Sequence, residues 1–141
     1  MIREYDCFAL VGPTASGKTS ISIKIAKKIN GEIINADSMQ IYKEFSILSS
    51  RPRKEELKKI KHHLYGIISV KKYFSAGDWL KEAKKKINAC IKKKKTPIIV
   101  GGLHVTNRGT IIPSIVTSIF MDADRLMHQN SRFDISVTSS I

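Results

Sequence analysis

The segment at residues 12–19, GPTASGKT, restricts the possible folds of this chain more than any other feature. It matches the pattern G-x-x-x-x-G-K-[ST], in which glycines let successive backbone N–H groups point at phosphate oxygens. An apolar run at residues 7–11 precedes it, and apolar residues at helical spacing follow it as far as Asn30 and Gly31. This order of strand, glycine loop and helix predicts a phosphate site at a helix N-terminus, the alternative being a plain connecting turn.

The motif also predicts which residues hold the phosphates. Lys18 supplies a positive charge to the outer phosphates, and the Thr19 hydroxyl is the expected ligand of a Mg²⁺ ion that bridges two of them. The predicted phosphate-binding residues are Gly12, Pro13, Thr14, Ala15, Ser16, Gly17, Lys18 and Thr19.

The net charge of +13 is concentrated in the first 100 residues, because residues 101–141 contain three arginines and three acidic residues. A basic body favours a polyanionic partner such as RNA or DNA. The alternative is a compositional bias toward lysine without any binding role. No run of eighteen apolar residues is present and the N-terminus lacks a signal-peptide pattern, so we expect no membrane partner and a cytoplasmic location. Cys7 and Cys90 show no metal-binding spacing and are interpreted as small buried hydrophobic residues.

A second predicted strand, residues 32–36, follows the helix directly, as an alternating α/β fold with a parallel sheet requires. Asp37 comes at its carboxyl end, where ligands bind in open α/β sheets. We therefore expect Asp37 beside the phosphate loop, as a metal ligand, a general base or a helix cap.

The motifs GPTASGKT, GEIINADSMQIY, HHLYGI, FSAGDW and PIIVGG occur in this order at residues 5–102. Together they resemble the tRNA dimethylallyltransferases. The resemblance implies transfer of a dimethylallyl group from dimethylallyl diphosphate to N6 of an adenosine adjacent to the anticodon of tRNA. It implies an α/β fold with a P-loop NTPase-like parallel sheet flanked by helices, here incomplete. We expect a monomer that acts on tRNA and dimethylallyl diphosphate with Mg²⁺ as cofactor.

The resemblance also assigns roles to residues around the second strand. Asp37 would be the catalytic base that accepts an N6 proton, because the lone pair of an aromatic amine is a poor nucleophile. Asp37, Ser38, Met39 and Gln40 would contact the tRNA beside an adenosine that has left its stack. Two alternatives stay open: a P-loop kinase for a small molecule or nucleotide, and a non-catalytic remnant that binds RNA.

Further along the chain, the residues predict helices and one more strand. Glu55, Glu56, Lys58 and Lys59 suggest an exposed helix before the pair His62 and His63, which we interpret as structural. Ser75 is the predicted N-cap of a helix that reaches about residue 93, with Trp79 in the core and a lysine-rich face directed to solvent or to RNA. Residues 97–100 predict a buried strand, ended by a turn at Gly101 and Gly102.

After Gly102 the resemblance stops. The chain is thus divided into residues 1–102, the prenyltransferase-like core, and residues 103–141, a divergent tail that a frameshift or early termination would explain. We expect a sheet of three strands with exposed edges and a loosely packed or disordered tail. Short makeshift strands are possible at residues 111–112 and 115–116, and Asp122, Asp124 and His128 suggest no catalytic arrangement.

Overall fold

The computed structural model describes residues 7–12, 17–37, 39–45, 52–102, 105–106, 109–110 and 133–137. Four of the eight predicted loop residues, numbers 13–16, lie outside this set, as does Ser38. The same holds for the proposed strands at 111–112 and 115–116 and for Asp122, Asp124 and His128.

The centre of the fold is a parallel sheet. Its strands are β1 (Cys7–Gly12), β2 (Gly31–Asn35), β3 (His62–His63), β4 (Thr96–Gly102) and β7 (Phe133–Val137), arranged in the order β3-β2-β4-β1-β7. All four neighbouring pairs run parallel. Two further short strands, β5 (Val105–Thr106) and β6 (Gly109–Thr110), form a separate antiparallel pair.

Helices cover the two faces of this sheet. Helix α1 (Lys18–Ile29) runs from the glycine loop to Asn30, whose left-handed backbone (φ 55°) ends the helix just before β2. Helix α3 (Ala76–Lys92) starts at Ser75, where a capping box with Asp78 satisfies the first backbone N–H groups. A short exposed helix, α2 (Lys54–Lys59), and a 3-10 turn (Lys43–Phe45) lie between β2 and β3.

Alternation along the strands divides the core into two layers. Leu10, Ile33 and Ile98 face α1, where they pack with Ile23 and Ala26. A residue adjacent to each of these in its strand, Ala9, Ile34 or Ile99, packs on the other face with Trp79, Ala83 and Ile87 of α3. Each fully buried isoleucine or leucine contributes about 1.5–3 kcal/mol of hydrophobic free energy. The two helices predicted from sequence therefore enclose the sheet as the α/β pattern requires.

The sheet differs from the sequence prediction in two ways. It has five strands instead of three, because His62–His63 pairs with β2 and Phe133–Val137 pairs with β1. The prediction of a tail without ordered structure is therefore wrong for residues 133–137. The predicted turn at Gly101 and Gly102 is also wrong, because both residues continue β4 in register with Val11 and Gly12. In the described part of the chain, no helix is both long and apolar enough to cross a membrane.

Candidate functional site

The carboxyl ends of β1, β2 and β4 meet at one edge of the sheet. Gly12 at the end of β1 lies beside Gly102, and Asn35 at the end of β2 lies beside Val100. The segment after β2 is held there by a hydrogen bond from the Ala36 N–H to the Val100 carbonyl (2.8 Å). Parallel α/β sheets bind their ligands at this edge. Here it carries the glycine loop after β1 and the segment with Asp37 after β2.

Gly17 and Lys18 form the entrance to α1. Gly17 has a left-handed backbone (φ 80°), a conformation that glycine adopts without steric cost. The Lys18 ammonium donates to the carbonyl of Gly12 over 2.8 Å, so the side chain folds back across the loop to the end of β1. Burial lowers the pKa of Lys18, although the negative charge of Asp37 acts in the opposite direction. Thr19 is partly exposed in the first turn of the helix.

Asp37 lies directly after β2 and is partly buried. Its Oδ1 accepts from the Met39 N–H at 2.9 Å, while the contact of Oδ2 with the Gln40 side-chain amide is longer, at 3.5 Å. Oδ2 is thus the carboxylate oxygen less engaged by these contacts. Met39 itself is 45% exposed, although it is a large apolar residue beside a polar site.

The backbone of Asp37 is fixed by the buried side chain of Asn35. Its Oδ1 accepts from the Asp37 N–H at 2.8 Å, and its Nδ2 donates to the Asp37 carbonyl at 2.9 Å and to the Leu64 carbonyl at 3.0 Å. The carbonyl of Asn35 in turn accepts from the Trp79 indole N–H at 2.7 Å. Through its side-chain amide and its backbone carbonyl, Asn35 therefore joins the segment after β2, the segment after β3 and helix α3.

Two further residues complete the surroundings of this edge. Burial raises the pKa of Tyr65 far above its usual value, and the negative charge of Asp37 adds to the effect. Gly101 approaches Ala36 so closely that a Cβ there would lie 3.0 Å from the Ala36 Cβ. Bulk at Gly101 would thus press on the residue that precedes Asp37.

The structure places Lys18 beside Gly12, and Asp37 beside Met39 and Gln40, at the carboxyl edge of the sheet. Gly17 and Thr19 lie at the start of α1. Sequence reasoning missed Asn35 and the carbonyl of Leu64. It placed Trp79 in the core, which is confirmed at 8% exposure, but it did not foresee the indole hydrogen bond. The available signal was an asparagine inside an otherwise apolar strand, because a buried amide needs hydrogen-bond partners.

A second group of polar side chains lies away from this edge. Glu32 of β2, His63 of β3 and Cys90 of α3 have ligand atoms that all lie within 4.8 Å of one another. The cysteines show no metal-binding spacing in the sequence, because the three residues are far apart in the chain. Both cysteines are buried, as predicted, and neither forms a disulfide.

Comparison with known proteins places these observations in a family context. The sequence profile of the family described as IPP transferase matches residues 40–105. A tRNA dimethylallyltransferase of Pelagibacter ubique is 56% identical over 102 residues, which are 72% of this chain and 33% of that protein. One from Hyphomonas neptunium is 43% identical over 64% of this chain and 29% of its own length. The chain therefore spans about a third of the curated relatives that it matches.

Solved structures agree. The full-length tRNA isopentenylpyrophosphate transferase of Bacillus halodurans has a TM-score of 0.66 and 33% identity, and the match covers 88% of this chain and 47% of that one. A eukaryotic dimethylallyltransferase described as acting on tRNA has a TM-score of 0.65 and 33% identity, over 67% of this chain and 24% of that one. This chain is thus similar to both solved structures in sequence as well as in fold.

Proposed function

We propose that the site serves the reaction of the tRNA dimethylallyltransferases, because the chain is 56% identical to one of them over 72% of its own length and is similar in fold to another. That reaction moves a dimethylallyl group from dimethylallyl diphosphate to N6 of an adenosine adjacent to the anticodon of tRNA. The observation that carries the proposal is that Lys18, bonded to the Gly12 carbonyl at the end of β1, and Asp37, after the end of β2, lie at the same carboxyl edge of the sheet.

The donor diphosphate would bind at the glycine loop. The Lys18 ammonium would neutralise the charge that develops on the diphosphate as the allylic carbon–oxygen bond breaks. Mg²⁺ fits the donor set, because the Thr19 hydroxyl in the first turn of α1 is a hard oxygen ligand. When bound, the ion supplies further neutralisation of the leaving group.

The acceptor adenosine would bind on the other side, beside Asp37. As N6 attacks the allylic carbon, a carbon–nitrogen bond forms and one N6 proton must leave. Oδ2 of Asp37 would accept that proton, because Oδ1 is engaged by the Met39 N–H. The exposed Met39 and the side chain of Gln40 would contact the extruded base. Ser38 belongs to the same set of tRNA contacts.

The test is incorporation of label. The purified chain is incubated with Mg²⁺, radiolabelled dimethylallyl diphosphate and an unmodified tRNA with an adenosine beside the anticodon. We expect label in RNA that Asp37→Asn reduces by a factor of about 10² or more, the usual contribution of a general base. Glu55→Gln serves as the matched control, because Glu55 is an exposed carboxylate of α2.

The controls separate the alternatives. Circular dichroism and urea unfolding establish that each variant is folded before label is counted. Label that survives unchanged in a folded Asp37→Asn variant contradicts the role of Asp37. Salt-sensitive tRNA binding by a folded chain that transfers no label contradicts the proposed reaction and supports the RNA-binding remnant, and turnover of ATP instead supports the kinase.

A further inference from the structure

The three side chains of Glu32, His63 and Cys90 form a buried polar cluster on the α3 side of the sheet. The Nε2 atom of His63 lies 2.6 Å from Oε2 of Glu32, and the Cys90 thiol donates to the same oxygen over 3.5 Å. The side chains of His63 and Glu32 are each 9% exposed, and Cys90 is fully buried. The cluster therefore combines one nitrogen, one oxygen and one sulfur donor in a nearly dry site.

The donor set matches the ligands of zinc. Zn²⁺ takes cysteine sulfur, histidine nitrogen and carboxylate oxygen, and a three-residue site is completed by water. Tetrahedral bonds of about 2.0–2.3 Å separate neighbouring donor atoms by about 3.3–3.5 Å. The sulfur–oxygen pair is already at 3.5 Å. The nitrogen–oxygen pair at 2.6 Å would have to open by about 0.7 Å, and the nitrogen–sulfur pair lies within 4.8 Å.

A divalent ion would balance the charge of the deprotonated cluster. A thiolate and a carboxylate together neutralise two positive charges, so the loaded cluster would have no net charge. Burial and the neighbouring Glu32 carboxylate raise the pKa of the Cys90 thiol to about 12, so the metal-free thiol is protonated. The positive charges of Lys93 and Lys61 oppose this shift and favour the thiolate.

We propose that Glu32, His63 and Cys90 form a binding site for Zn²⁺ or a similar divalent transition metal, separate from the site of Asp37. On binding, the sulfur–hydrogen bond of Cys90 breaks, the proton leaves to solvent and the sulfur electron pair binds the ion. His63 binds through Nε2 as the neutral tautomer that carries its proton on Nδ1. The ion links β2, β3 and α3, which are the elements that hold Asn35 and Trp79 around Asp37.

Cobalt is the direct probe, because Co²⁺ accepts the same ligands and shows a thiolate-to-metal charge-transfer band. The metal-depleted 141-residue chain is titrated with Co²⁺, and Zn²⁺ is then added to displace it. We expect one Co²⁺ per chain with a thiolate band, release of about one proton per ion, and loss of the band on addition of Zn²⁺. Zn²⁺ should also raise the unfolding temperature, since it binds only the folded cluster.

Variants establish which residues bind. Cys90→Ala should remove the thiolate band, and His63→Gln should weaken Co²⁺ binding at least tenfold. Cys7→Ala is the matched control, because Cys7 is the other buried cysteine and lies outside the cluster. Absence of the band in the folded chain overturns the proposal, as does a band that persists in Cys90→Ala or that is equally strong in urea. If His63→Gln does not fold, Cys90→Ala and the urea measurement still decide.

Discussion

The indole N–H of Trp79 donates to the backbone carbonyl of Asn35 over 2.7 Å, across 44 positions of sequence. This contact ties helix α3 to the strand end from which Asp37 emerges. The Asn35 side chain also forms hydrogen bonds with both the N–H and the carbonyl of Asp37. The position of the carboxylate therefore depends on a helix that begins 39 residues further along the chain.

Replacement of Asn35 should therefore affect both stability and activity. Asn35→Ala leaves the Asp37 N–H and the carbonyls of Asp37 and Leu64 without their present partner. We expect a loss of roughly 2–4 kcal/mol in the free energy of unfolding, measured by urea denaturation. Asn88→Ala on the exposed face of α3 should change it by less than about 0.5 kcal/mol. An equal effect of the two substitutions would contradict the role given to the buried amide.

Gly31 and Gly77 should respond in opposite directions to alanine. A Cβ at Gly31 would lie 2.7 Å from Cδ1 of Ile98 and 2.9 Å from the Thr96 carbonyl oxygen, so β4 would have to move. Gly31→Ala should cost about 1–3 kcal/mol. A Cβ at Gly77 meets only Ser75 Oγ at 3.6 Å, and alanine there should stabilise α3 by up to about 1 kcal/mol. Thermal unfolding of both variants measures the difference, and a stabilising Gly31→Ala would refute the close contact.

His62 should make stability depend on pH below neutrality. Burial lowers the pKa of His62 below its ordinary 6.5, although the hydrogen bond to the Ile60 carbonyl opposes the shift. The unfolded chain therefore binds a proton at His62 more readily than the folded chain does. The contribution of neutral His62 to the free energy of unfolding is fully present above pH 6.5 and is lost as the pH falls through the folded pKa. We expect the urea midpoint to fall between pH 7.5 and 5.5, and to fall less in His62→Gln.

Glu32 should make stability depend on pH in a more acidic range than His62 does. Burial alone would raise the pKa of Glu32, but hydrogen bonds from His63 and Cys90 outweigh it, and the pKa of the carboxyl is lowered. A lowered carboxyl pKa gives stability that is present above the ordinary value of 4.5 and is lost as the pH falls through the folded pKa. Glu32→Gln should thus flatten the stability profile below pH 4.5, and an unchanged slope there would contradict the assignment.

Lys18 should dominate the binding of diphosphate. Lys18→Ala removes the charged donor at the loop, and a charge-assisted hydrogen bond contributes about 1.5–3 kcal/mol. We expect affinity for inorganic pyrophosphate with Mg²⁺ to fall about 10- to 100-fold in calorimetry. Lys58→Ala on exposed α2 controls for the loss of one positive charge. Equal losses in both variants would indicate binding by overall charge rather than at the loop.

Most of the fold within residues 7–102 could be predicted from the sequence, because its signals are local. Ser75 and the apolar stripe beginning at Trp79 predict α3, and the glycine motif predicts the start of α1. Strands β3 and β7 could not be predicted. β3 has two residues, and both strands exist through pairing with partners that are distant in sequence.

In the candidate site, too, local motifs could be predicted and contacts between distant residues could not. Lys18 and Asp37 are found from motifs, since each follows a strand end that a parallel sheet brings to one edge. The bonds from Asn35 to Leu64 and from Trp79 to Asn35 join residues 29 and 44 positions apart. No local pattern encodes them, and the cluster of Glu32, His63 and Cys90 was missed for the same reason.

The hydrogen bond from Lys18 to the Gly12 carbonyl has a consequence for the thermodynamics of ligand capture. A lysine that is already held in one geometry has lost rotamer freedom during folding, an entropic cost of about 1.5–2 kcal/mol for a long side chain. When a diphosphate binds, the Lys18 ammonium would exchange the Gly12 carbonyl for a phosphate oxygen, which is a stronger acceptor. The diphosphate would not have to immobilise a freely moving side chain. The Lys18 side chain would therefore be preorganised for a diphosphate, and binding through it should cost less conformational entropy than binding by surface lysines.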